Sequence, residues 1–116
     1  FKTKYTISKK NDSRRMILQA LGMIGNIYRF RGKYDKSLEI YKEVMATAED
    51  IYDLNAQSQT YGNKGIIYKN IGKHTKAIKN YQKQIDIIYS AVSQVYSSFY
   101  GQKYLVPLPW ILPFLN

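Results

Sequence analysis

The sequence predicts an all-α architecture of stacked antiparallel helical hairpins, and three observations predict it. The chain repeats itself at an offset of 40 residues, glycines stand where a helix must end or be closely approached, and apolar side chains recur between them at spacings of three and four.

Sliding the chain by 40 positions pairs residues 18–50 with residues 58–90. Identical residues meet at Gln19/Gln59, Gly22/Gly62, Gly25/Gly65, Ile27/Ile67 and Tyr28/Tyr68, and again at Gly32/Gly72, Lys33/Lys73, Lys36/Lys76 and Tyr41/Tyr81. Arg29/Lys69, Ser37/Ala77 and Leu38/Ile78 are conservative matches at the same offset. Gly25 and Tyr28 are three apart and share one helix face. Gly32 suits a helix C-terminus, because glycine enters the left-handed conformation without strain. A second helix is expected from about Asp35, a good N-cap type. Its apolar stripe is Ser37, Leu38, Tyr41, Val44, Met45 and Ala48. The second unit repeats the plan with Gly65, Tyr68 and Gly72, Thr75 as cap, and a stripe of Ala77, Ile78, Tyr81, Ile85 and Ile88. Gly25 and Gly65, with Ser37 and Ala77 opposite, allow close helix approach, and Tyr28, Tyr41, Tyr68 and Tyr81 fill the remaining space. A single hairpin cannot bury its apolar face, so such units stack.

The expected organisation is a helix end of a preceding unit over 1–13, one unit over 14–53, a second over 54–92, the start of a degenerate third over 93–104, and an extended tail over 105–116. The first of these rests on Tyr5, Ile7 and Ser8 followed by an Asn11-Asp12 turn, which echo the end of the first unit. The start of a third unit rests on Ser97, Tyr100, Gly101 and Lys103, which match Ser58, Tyr61, Gly62 and Lys64 at an offset of 39. Pro107, Pro109 and Pro113 then exclude a helix. The apolar tail from Leu105 to Leu115 reads as an improvised cap on the solenoid end, as a recognition strand, or as a segment unrelated to the repeats. An uncapped end exposes apolar surface, which leaves room for a homodimer. The chain begins with Phe1 rather than Met, so it reads as a fragment of something longer.

The succession G-x-x-Y, Gly, small residue, aromatic resembles the tetratricopeptide repeat (TPR). The period of 40 is similar to the longer-helix subclass with the pattern ALGNLGNIYxxxGxYxKAxxYYxxxLxIAxxxGD. Here Ala20 to Tyr28 and Gly32 to Leu38 carry the first copy, and Tyr61 to Tyr68 and Gly72 to Tyr81 the second. Lys64 and His74 depart from it, standing where apolar and aromatic types are usual. This subclass occurs in animal spindle-orientation adaptors and in bacterial signalling proteins that join repeats to kinase or protease-like domains. The resemblance implies a right-handed α-solenoid whose first helix in each hairpin lines a concave groove. By that register the groove residues are Gln19, Asn26, Arg29 and Phe30 from the first unit and Gln59, Asn63, Ile66, Lys69 and Asn70 from the second. The family holds extended peptides with groove asparagines, which singles out Asn26 and Asn63. The positions of the two-carboxylate clamp of chaperone-tail receptors are not matched.

The 116 residues carry 18 Lys and Arg against 8 Asp and Glu, a net charge of +10. Residues 54–116 hold seven lysines against Asp86 alone. Such an excess favours acidic partners; the joint abundance of Lys, Asn, Ile and Tyr also fits biased codon usage. Lys73, Lys76, Lys79 and Lys83 form a stripe that is expected to face outward and to be solvated, in preference to touching nucleic acid or lipid. With no cysteine there is no disulfide, thiolate metal site or thiol nucleophile, which fits a cytoplasmic protein. His74 sits alone in a turn, and no phosphate loop, nucleophile elbow or His-Glu-x-x-His is present. Asp35, Glu39 and Glu43 form an exposed row, which does not shift carboxylate pKa values as acid/base work requires. The expectation is therefore a non-enzymatic protein–protein interaction scaffold without cofactor or metal. Its groove accepts a peptide or helix, preferably acidic. The alternatives are a regulatory or sensor segment of a larger signalling enzyme, or a basic nucleic-acid-binding module.

Overall fold

Three turns of one design divide the described residues. At the first, the Lys33 amide donates to Tyr28 O at 2.8 Å and the Gly32 amide to Arg29 O at 3.0 Å, the paired bonds of a Schellman ending. The second hairpin repeats them, Lys73 to Tyr68 O at 2.8 Å and Gly72 to Lys69 O at 3.1 Å. Gly32 and Gly72 adopt φ of 74° and 81°, as the sequence predicts. The turn between the hairpins makes the same pair, Asp53 to Ala48 O at 2.9 Å and Tyr52 to Glu49 O at 3.2 Å. Its left-handed residue is Tyr52, φ 55°, a conformation that costs a non-glycine residue about 1 kcal/mol.

The helices so delimited are α1 (Lys2–Phe30), α2 (Tyr34–Asp50), α3 (Leu54–Asn70) and α4 (His74–Tyr100). This structure is a computed structural model that describes the backbone of residues 2–100 and the side chains of residues 9–99. There is no strand among the described residues.

Two expected caps do not form. Lys33 occupies the N-cap position of α2 without a side-chain bond, and Asp35 lies inside the first turn, where its charge meets the positive end of the helix. Thr75 likewise lies inside α4, which begins at His74. A side-chain cap is made instead by Asp53, whose Oδ1 accepts the Ala56 amide at 3.0 Å.

Two expected unit boundaries fall inside helices. Backbone helix continues through Asn11-Asp12, where a turn was expected, and through Ser93, where a third unit was expected to begin. Neither place offers a glycine for a left-handed ending, and Asp12 is held by Arg15 across one helical turn at 3.3 Å. The remainder of the expected third unit and the 105–116 tail lie outside the described residues.

The hairpins close on small residues. A methyl group added at Gly25 would stand 2.6 Å from the ring of Tyr41, which is 1% exposed, so the ring rests directly on the α1 backbone. Ser37, fully buried, donates from Oγ to Gly25 O at 2.8 Å and ties α2 to α1 at the same point. In the second hairpin the Tyr81 ring sits over Gly65 in the same way, with Ala77 in place of the serine. Leu18, Val44, Ala48, Ile51 and Ala56 form an apolar cluster that joins both hairpins, with Leu21 and Ile40 packed against it. Tyr28 and Tyr68 are half-buried, each beneath a lysine.

The expected α4 stripe is only partly a core. Ala77 is buried, but Ile78, Ile85 and Ile88 are exposed and Tyr81 is half-buried. In the first hairpin the counterparts of this stripe are covered by α3, whereas no described element covers the outer side of α4.

Gly22 and Gly25 lie one turn apart in α1 yet differ in surroundings: nothing stands within 4 Å of a methyl group at Gly22. Gly22→Ala is expected to raise the unfolding free energy by roughly 0.5–1 kcal/mol through helix propensity. Gly25→Ala is expected to lower it by about 1–2 kcal/mol through overpacking against Tyr41. Urea denaturation of the two variants checks the opposite signs. Tyr52→Gly, measured the same way, is expected to gain about 1 kcal/mol by relieving the left-handed turn.

Candidate functional site

The residues of α1 and α3 that face away from their hairpin partners meet in a furrow with a cavity volume of 380 Å³. Gln19, Met23 and Asn26 come from α1 at spacings of four and three. Asn55, Gln59 and Asn63 come from α3 at spacings of four. Leu18, Val44 and Tyr41 form its floor. The furrow continues past Asn63 to Ile66 of α3 and to Gln84 of α4.

A polar network crosses it. Asn26 Oδ1 accepts two hydrogen bonds, from the Tyr41 hydroxyl at 2.5 Å and from Asn63 Nδ2 at 3.1 Å. The Tyr41 hydroxyl in turn accepts from Arg29 Nε at 3.3 Å. Gln59 Nε2 donates to Asn55 Oδ1 at 3.5 Å along the α3 row. The bonds anchor the asparagines and leave the Nδ2 of Asn26 and the Oδ1 of Asn63 without a protein partner among the described residues.

Of the residues predicted for the groove, Gln19, Asn26, Gln59, Asn63 and Ile66 are brought together. Arg29 reaches the network from its edge through Tyr41 and lies over the Phe30 ring at 4.5 Å. Phe30, Lys69 and Asn70 do not line the furrow. They belong to the last turns of α1 and α3, where Phe30 and Lys69 are exposed and Asn70 Nδ2 donates to the Tyr34 hydroxyl at 3.2 Å. Sequence reasoning missed Met23, Asn55 and Gln84. An i, i+4, i+8 row of amides through Asn55, Gln59 and Asn63 was the available signal for the second of these.

The arrangement offers amide donors and acceptors over an apolar floor. Among the described residues no group of three or more His, Cys, Asp or Glu stands close enough to hold a metal ion. No helix among them is long and apolar enough to cross a membrane.

Hairpins of this construction, stacked with their first helices side by side, are a protein-interaction fold. The tetratricopeptide-repeat family profile matches residues 16–97, and the chain belongs to that family. Two relatives share about a third of their aligned residues with it. Outer dynein arm-docking complex subunit 4 of Xenopus laevis is 32% identical over 73 residues, 63% of this chain and 14% of that protein. Photosystem I assembly protein Ycf3 of Acaryochloris marina is 33% identical over 67 residues, 58% of this chain and 39% of that protein. The chain thus spans well under half the length of either relative. No solved structure matches it significantly. Tetratricopeptide repeats mediate protein–protein interaction or assembly, and the fold is a non-catalytic one.

The Tyr41 hydroxyl belongs to both the core and the furrow. Tyr41→Phe is expected to lower stability by about 1 kcal/mol while leaving the ring on Gly25, as thermal unfolding followed by circular dichroism would show.

Proposed function

We propose that the furrow between α1 and α3 receives an extended peptide or a helix of a protein partner, and that the chain acts as an interaction scaffold. The observation that carries this reading is the row of amide side chains over an apolar floor. The Asn26–Asn63 bond holds two of those amides in place yet leaves each a group for hydrogen bonding to a guest backbone. Such groups hold an extended chain without dictating its side chains. Arg29 at the furrow's edge and the net charge of +10 support a preference for acidic guests. Both relatives carry names taken from docking or assembly, which fits a holding role rather than a reaction.

Asn26 is a poor target for the test, because its removal also frees the Tyr41 hydroxyl. Peptides selected from a random display library on the immobilised chain provide the ligand instead. Their affinity for the native chain and for Gln59→Ala/Asn63→Ala is then compared by fluorescence anisotropy. The expected result is a preference for sequences rich in Asp and Glu and a loss of roughly tenfold or more in the double variant. Selected peptides that bind the double variant undiminished would place the binding surface elsewhere.

A further inference from the structure

The opposite side of α3 carries a second concavity of different chemistry. At about 3.6 residues per turn, Tyr61, Lys64 and Tyr68 lie across the helix from Gln59, Asn63 and Ile66. With Lys76, Lys79 and Lys83 of α4 they line a hollow of 260 Å³.

Four lysines line it. Lys64 Nζ and Lys83 Nζ lie over the same Tyr61 ring, at 5.9 and 5.3 Å from its centre, and Lys76 Nζ lies 5.4 Å from that of Tyr68. None of the four forms an ion pair among the described residues, where the ion pairs join Arg14 to Asp50 and Arg15 to Asp12 and Asp53. Asp86 is the one acid of residues 54–100, and its carboxylate accepts from Gln82 Nε2 at 3.0 Å. Burial between the helices, and secondarily the neighbouring Lys83, holds the Lys64 ammonium below the usual lysine range. Four like charges are therefore gathered with no carboxylate in ion-pair contact, and Asp86, one helical turn beyond Lys83, is the one acid on α4.

The repeat provides an internal comparison. Forty residues earlier, Lys64, Lys76, Lys79 and Lys83 correspond to Ile24, Lys36, Glu39 and Glu43. The same framework thus carries one lysine and two glutamates in the first unit and four lysines in the second. The fold requires none of the changed lysines, and all three changes fall on this hollow.

We propose that the hollow binds a compact anion bearing clustered phosphate groups. Its size suits a small polyphosphate and not a duplex, and Lys64 is half-buried in its wall. All four cations are lysines, point charges that serve phosphate oxygens from several directions, whereas planar carboxylates favour the fork of arginine. This assignment is independent of the furrow on the other side of α3.

The test is titration calorimetry of the native chain with inositol hexakisphosphate and with tripolyphosphate, sulfate serving as control. Saturable binding to both phosphates that weakens steeply with added salt is expected. Lys64→Ile/Lys79→Glu/Lys83→Glu gives the second unit the residues of the first and should weaken binding roughly tenfold or more. Lys10→Ile/Lys9→Glu/Lys42→Glu makes the same change in net charge on exposed positions outside the hollow and should retain the affinity. Should the first variant fail to melt cooperatively, nitrogen-detected lysine signals of the native chain decide: those of Lys64 and Lys83 must shift on adding tripolyphosphate. Sedimentation with phosphatidylcholine vesicles, with and without an inositol-polyphosphate lipid, separates the sources. Co-sedimentation only with that lipid assigns a headgroup, and binding of the soluble probes without co-sedimentation assigns a free polyphosphate. No saturable binding at low salt, equal loss in both variants, or single-stranded RNA bound tightly by the first variant would overturn the assignment.

Discussion

A tyrosine ring resting on a glycine sets the distance between the helices of each hairpin. Tyr41 on Gly25 and Tyr81 on Gly65 bring backbone and aromatic face together without an intervening side chain. The contact lies between the turn and the centre of each hairpin, and it fixes how α1 and α2, and α3 and α4, face one another there. The outward sides of α1 and α3 follow from that orientation, and with them the furrow. The dependence extends to chemistry, since the ring that lies on Gly25 delivers its hydroxyl to Asn26. Core and site are thus not separate layers here, and the best buried aromatic among the described residues is also part of the furrow floor.

The two hairpins share a framework but are not equally finished. The first has α3 against it, and its tyrosine, serine and valine are buried on all sides. The second keeps the tyrosine but has Ala77 for the serine and Gln84 for the valine, and no described element covers its outer half, whereas stacking supplies half of every unit's core. This also explains why α3 lacks a single apolar face. It is buried on two flanks, against the first hairpin through Ala56 and Thr60 and against α4 through Gly62 and Gly65, and open on two others. The open flanks are the furrow and the lysine-lined hollow.

Much of the fold was legible because it is local. The 40-residue repeat, Gly32 and Gly72 as left-handed endings, and Gly25 and Gly65 as points of close helix approach all follow from spacing along one or two helices; that Tyr41 and Tyr81 are the rings resting on those glycines did not. The errors arise where the backbone outweighs side-chain signals. Asp35 and Thr75 are good capping types, but the Schellman turns had already placed the helix starts ahead of them. Asn11-Asp12 has turn composition, but helix continues across it with Asp12 paired to Arg15. Within the furrow, Asn26 and Asn63 were legible from the family pattern; their bond to one another was not, since it spans 37 residues and depends on the packing of α1 on α3. The lysine row of α4 was visible as a solvated stripe, but Lys64 joins it only through the pairing of α3 with α4.

The three turns share one hydrogen-bond pattern, although two close a hairpin and one links hairpins. The backbone therefore does not mark where a module begins, and only the side chains distinguish a partner helix from a neighbouring one. A gene-level duplication could break the chain at any phase of the 40-residue period and still return a stackable unit. Arrays of this kind can lengthen or shorten without first locating a domain boundary.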